Sequence, residues 1–183
     1  MPECRNGKHH HRGKSSESLL DKEKILANLG ILPGQVILDA GCGNGYMAKE
    51  FAERTGETGK VYALDPDAES IDAVKAEGTA IDAFVGDITV ETNLAASSVD
   101  LIYVSTVIHG FSPMQMEGFL KEVKRLLKPT GKLAIVEIEK KATFVGPPLA
   151  LRFSPEELRQ RIDLTPTARV DVGEFLYMQV FER

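Results

Sequence analysis

A chain of 183 residues with a 43% hydrophobic and 27% charged composition has the size and make-up of one globular domain with a single substantial core. No apolar run approaches the roughly 20 residues a bilayer span needs, and the polar, basic start has no apolar signal core, so a cytoplasmic protein is expected. A formal charge of −5 argues against general nucleic-acid binding, and two cysteines, Cys4 and Cys42, give no disulfide framework.

Residues 1–16 read as a separate polar arm, carrying Cys4, Arg5, Lys8, His9, His10, His11, Arg12 and Lys14. Cys4 and the histidines could make a metal site or a substrate lid, or the segment could be a solvated, partly ordered arm. The last reading is taken, because adjacent histidines on a flexible segment rarely converge on one ion, and no metal is expected. Residues 17–183 form the domain. A helix is predicted over 18–29, with Leu19, Leu20, Ile25, Leu26 and Leu29 as its apolar stripe and Gly30 as its stop.

Val36-Ile37-Leu38 is a buried-strand run, and it meets the glycines of Asp39-Ala40-Gly41-Cys42-Gly43-Asn44-Gly45 before a helix begins near Tyr46. A glycine turn between strand and helix lets a ligand lie close to the backbone and aims free helix N–H groups at it. The spacing departs from the dinucleotide fingerprint: Tyr46 stands where its third glycine belongs, and Asp39 would repel a pyrophosphate while suiting an ammonium or sulfonium group. The segment resembles motif I of the class I S-adenosylmethionine-dependent methyltransferases. Their mostly parallel, doubly wound α/β sheet of seven strands, with an antiparallel last strand, is the fold the resemblance implies.

The later segments follow that family's order. A helix to about 54 leads into a strand over 60–64 that closes on Asp65 and Pro66, a little over 20 residues past the glycines, where a βαβ unit places a carboxylate for ribose hydroxyls. Asp67 caps a helix over 68–77. A strand over 80–85 runs into Gly86-Asp87-Ile88, which resembles the family's third motif, with Asp87 accepting from the adenine amino group and Ile88 packing on the ring. Residues 89–98 leave room for a brief turn only. A strand over 99–105, opened by Asp100, ends in Ser105-Thr106-Val107-Ile108-His109, and the carboxyl ends of parallel strands are where ligands bind. His109 reads either as a base or polar substrate contact, or as a histidine that shapes the pocket floor.

An amphipathic helix over 113–128 sets Met116, Phe119, Leu120, Val123, Leu126 and Leu127 against the core and turns Lys121, Glu122, Lys124 and Arg125 to water. Lys128-Pro129-Thr130-Gly131 should end it and open a strand over 132–138. Residues 140–153 read as a loop above the site, a substrate lid or a rigid connector. Ser154-Pro155-Glu156-Glu157 starts a short helix, and strands over 168–172 and 175–181 close the sheet.

In layout the chain is similar to the small methyltransferases related to the ubiquinone and menaquinone biosynthesis enzymes. The resemblance implies S-adenosylmethionine as cofactor, held by Asp39, Ala40, Gly41, Cys42, Gly43, Gly45, Asp65, Pro66, Asp87, Ile88 and Ser105. Ser105, Thr106 and His109 would line the side of a small-molecule acceptor, and transfer would be direct and in line. A sensor or non-catalytic subunit binding the same cofactor, and an NAD-dependent oxidoreductase, are the alternatives.

Overall fold

A computed structural model describes residues 16–183; the arm, apart from Ser16, lies outside the described residues. Seven strands form one sheet in the order β3-β2-β1-β4-β5-β7-β6, comprising β1 (Val36–Ala40), β2 (Lys60–Asp65), β3 (Ile81–Val85), β4 (Val99–Ser105), β5 (Leu127–Ile138), β6 (Thr165–Asp171) and β7 (Leu176–Glu182). The first five strands run parallel to one another, and β7 runs antiparallel to both β5 and β6. The strand order therefore reverses between β1 and β4, which opens a crevice at their carboxyl ends.

Each face of the sheet has its own apolar layer, as strand alternation requires. One layer gathers Ile37, Tyr103 and Val136 against α1 (Lys22–Leu29), α2 (Tyr46–Thr55) and α3 (Ala68–Ala76), through Ile25, Phe51 and Ile71. The other gathers Leu38, Val104 and Ile135 against α4 (Pro113–Leu126) and α5 (Pro155–Arg161), through Phe119 and Leu158. Both of these last helices start on a capping box, Ser112 with Gln115 and Ser154 with Glu157. Residues 86–98 hold turns and no helix, as their poverty in apolar residues predicts.

Several boundaries shift for physical reasons. The first predicted helix divides into a 3-10 turn, Ser16–Leu19, and α1, because Asp21 caps the second piece by accepting from the Lys24 amide. The fourth helix ends at Leu126, and β5 begins at once: Leu127 pairs with Val99 and Lys132 with Leu101, so the Lys-Pro-Thr-Gly segment is an irregularity within the strand. Lys128 gains an ion pair there with Asp100 at 2.8 Å, while Asp100 also accepts from the Val36 amide. Strand β6 starts at Thr165, three residues earlier than expected, because its irregularity at Pro166 tolerates a residue without an N–H.

Glu122 is not on the wet face of α4. It is 3% exposed, its carboxylate accepting from Arg125 and from the Thr92 amide and hydroxyl, and those bonds hold it below the usual carboxylate range against the opposing effect of burial. Arg152 is equally hidden, and its guanidinium donates to the carbonyls of Glu139, Lys141, Val145 and Pro147 and to the Thr143 hydroxyl. That side chain shapes the loop between β5 and α5.

Candidate functional site

The acids singled out in the sequence stand together along one edge. Strands β1, β2 and β3 run in register, with Asp39 beside Ala63 and Asp65 beside Val85, so their carboxyl ends share a rim, and Asp87 follows two residues past the end of β3. Asp39 is 3% exposed and faces Asp65. Burial first, and the neighbouring Asp65 second, push its carboxyl up to about 7, against a hydrogen bond from the Ala48 backbone that favours the ionised form. Asp65 accepts from the Gly43 amide at 2.9 Å and from the Asp67 amide at 2.9 Å, and Asp87 accepts from the Thr89 amide at 2.8 Å.

The glycine turn differs in one respect from the expectation of free donors. The Gly41 and Cys42 amides donate to the Leu64 carbonyl, Gly43 to Asp65, Gly45 to the Cys42 carbonyl, and Tyr46 to the Asn44 side chain. The turn presents a shaped floor more than a row of unused N–H groups. Gly41 has φ +80°, and a Cβ there would stand 2.4 Å from Val107 Cγ2, so the turn packs flush on the segment leaving β4. Gly43 has φ +52° and nothing within 4 Å of the same point, so the surface above it is open. Glu17 reaches in from the leading 3-10 turn to accept from Asn44 at 2.5 Å, tying that segment to the glycines.

The remaining predicted contacts fall into two groups. Pro66 is exposed and Ala40 buried beside the turn, whereas Ile88 is 3% exposed and lies within the α4-side layer. Cys42 is 8% exposed, and burial together with Asp39 and Asp65 pushes its thiol up, so it stays protonated and inert. On β4 the Tyr103 and Ser105 hydroxyls lie near one another outside hydrogen-bonding geometry, and both are buried with no partner among the described residues. Two surface hollows, of about 170 Å³ beside Val123 and Ile162 and about 160 Å³ beside Val90 and Gly118, involve none of these residues.

Beyond β4, Thr106 takes a left-handed φ of 55° and the chain turns back as a 3-10 turn, Ile108–Gly110, which carries His109 over the end of β5. There His109 Nδ1 lies 2.9 Å from Glu137 Oε2, with the histidine side chain 11% exposed and the carboxylate 1%. Glu137 was missed by sequence reasoning. Its signal was a lone carboxylate inside the apolar strand Leu133-Ala134-Ile135-Val136-Glu137-Ile138, where burial demands a partner.

Comparison with known proteins places the chain in a family. The methyltransferase domain family matches residues 37–131, just over half of the chain and all of the sheet from β1 into β5. The chain belongs to the class I S-adenosylmethionine-dependent methyltransferases. An uncharacterised methyltransferase of Synechocystis is 30% identical over 127 residues, covering 69% of this chain and 58% of its own. A ubiquinone/menaquinone biosynthesis C-methyltransferase of Hydrogenovibrio crunogenus is 32% identical over 117 residues, covering 61% and 45%. The chain thus spans about half the length of the curated relatives it matches. Among solved structures, an S-adenosylmethionine-dependent methyltransferase of Aquifex aeolicus superposes with a TM-score of 0.80 at 27% identity over 93% of both chains.

The residues of the methyltransferase fit that cofactor. An acid raised to about 7 by burial and a second acid would be relieved by a cation, which a pyrophosphate lacks. The open space over Gly43 admits a ligand against the backbone, and the unpartnered Ser105 hydroxyl has hydrogen bonds left to give. Among the described residues no group of acids, histidines and cysteines is gathered as for a metal ion, and no helix is long and apolar enough to cross a membrane.

Proposed function

We propose that the protein methylates a small-molecule acceptor by direct in-line transfer in the cytoplasm. The observation that carries the reading is buried Asp39 next to Asp65, whose carboxylate accepts from the Gly43 amide at 2.9 Å where the space beside Gly43 is open. Asp39 and the turn from Gly41 to Gly45 would hold the amino-acid end of the cofactor, Asp65 with Pro66 the ribose side, and Asp87 with Ile88 the adenine. S-adenosylmethionine, when bound, supplies an electrophilic methyl on a sulfonium leaving group. The protein's own task is then to fix the two partners in line and keep water out, which is worth several orders of magnitude without a covalent step.

Ser105, Thr106 and His109 would face the acceptor. The loop over residues 140–153 would cover it, since Arg152 fixes its shape while Phe144, 91% exposed, and the half-exposed Leu149 and Leu151 give it an apolar surface. A small acceptor is favoured over a nucleic acid by the chain's formal charge of −5. Calorimetry with S-adenosylhomocysteine and NAD in parallel, followed by turnover assays over phenols, quinols, amines and thiols, tests the proposal. Tight NAD binding alone would end it, and cofactor binding with no turnover on any acceptor would leave a sensor.

A further inference from the structure

We infer that Glu137 is a positioning residue that holds the His109 ring with its hydrogen on Nδ1, leaving Nε2 as the lone pair that takes the acceptor's proton. The inference rests on the small-molecule transfer proposed above. Glu137 is fully buried on β5, opposite Tyr177 of β7, yet the Tyr177 hydroxyl donates to the Phe153 carbonyl at 2.7 Å and leaves the carboxylate to His109. One carboxylate oxygen meets Nδ1 at 2.9 Å; the other, Oε1, is buried with no hydrogen-bond partner among the described residues. A purely structural polar contact would be met as well by a neutral amide, whereas a carboxylate left half satisfied is a costly choice.

The backbone is bent to make this pair. Thr106 holds its left-handed turn while its amide donates to the Val136 carbonyl at 2.8 Å, and buried Ile108 anchors the 3-10 turn on the core. A non-glycine residue in that conformation is strained, and strain of this kind is retained where surrounding contacts impose a needed geometry. An ionised carboxylate can only accept, so it takes the N–H of Nδ1 and assigns the tautomer. Base oriented by a third group is the general arrangement for proton removal from a nucleophile.

The chemistry balances. The acceptor atom forms its bond to the methyl carbon, the carbon–sulfur bond breaks with its electron pair kept by sulfur, and the displaced acceptor proton passes to Nε2. The resulting imidazolium lies against Glu137, so a hydrogen bond becomes an ion pair in a place shielded from water. The proton is then lost to solvent.

Nitrogen-15 NMR of the full chain with S-adenosylhomocysteine, in mildly alkaline buffer and with the His109→Ala spectrum for assignment, should show His109 protonated on Nδ1 and bare on Nε2. In Glu137→Leu the ring should lose that preference. With an acceptor found in the panel, Glu137→Gln, which keeps the shape, should lower kcat about tenfold and Glu137→Leu about a hundredfold. The KM for S-adenosylmethionine and the affinity for S-adenosylhomocysteine should stay within about twofold. The double variant should be no worse than His109→Ala. A wild-type ring protonated on Nε2, additive losses, or equal loss of cofactor affinity and kcat would overturn the inference. If the wild type turns over no acceptor, the proposed activity falls and proton transfer falls with it, while the tautomer still decides whether Glu137 orients the ring.

Discussion

At the β1–β2 end of the rim, the carboxylates of Asp39 and Asp65 are answered by main-chain amides; at the β4–β5 end, Glu137 is answered by a side chain 28 residues away in sequence. The first arrangement joins neighbouring strands of one βαβ unit, because a strand that ends in glycines turns its amides toward the strand end beside it. The second exists only once two strands have paired and a turn has been folded back. One end is therefore left short of positive charge and ready for a cation, while the other has its hydrogen-bond partner built in. In the proposed function, binding and proton transfer are divided between them, and Gly41 packed on Val107 is the seam.

The seam is where the largest effect is expected. Gly41→Ala combines φ +80° with a 2.4 Å approach to Val107 Cγ2. It should cost about 3 kcal/mol in urea unfolding and disturb both ends at once. Unchanged stability would show that the two ends are mechanically independent.

Asp39→Asn should be next, and opposite in sign. With the folded-state carboxyl at about 7 against an ordinary 3.8, the folded protein keeps a proton that the unfolded chain has lost. Wild-type stability from this group is then full below about 4, falls as pH rises to about 7, and is flat above, at roughly 1.4 kcal/mol for each unit of difference. The variant, which has no such charge to bury, should be more stable than wild type above neutrality by no more than that difference, and the gap should close on acidification. Its affinity for S-adenosylhomocysteine should fall by about tenfold or more. In the wild type that affinity should rise with pH up to about 7 and level off, because the ionised acid is the form that receives an ammonium group.

Gly43→Ala isolates the floor from the seam. Its φ of +52° costs an alanine about 1 kcal/mol, but the space above is open, so folding should survive while calorimetry shows cofactor affinity reduced about tenfold. Phe144→Ser should have the smallest effect on stability. With the ring 91% exposed and in edge contact with Phe175, the melting temperature should hold, and the KM for an apolar acceptor should rise a few-fold. No change in that KM would make the loop a connector.

What was legible in the sequence follows the same division. The turn from Asp39 to Gly45, the strand ends at Asp65 and Asp87 and the capping box at Ser154 are short-range patterns, and each falls where its spacing places it. The partners of Glu137 and Glu122 were not legible, because His109 in one case and Arg125 with Thr92 in the other are brought to these acids by packing. The commitment of the turn amides was equally hidden: their acceptor, the Leu64 carbonyl, belongs to the adjacent strand. Periodicity carries no information about which carbonyl stands across a sheet.

The Arg152 anchor has an implication for variation. Four of its five acceptors are peptide carbonyls, which every residue possesses, so the path of residues 139–151 is written in the main chain and not in the side chains it displays. Phe144, Leu149 and Leu151 are thereby free to be exchanged without refolding the frame that carries them. A lineage, or a designer, could retune which molecules are accepted by repainting three positions on a fixed bracket.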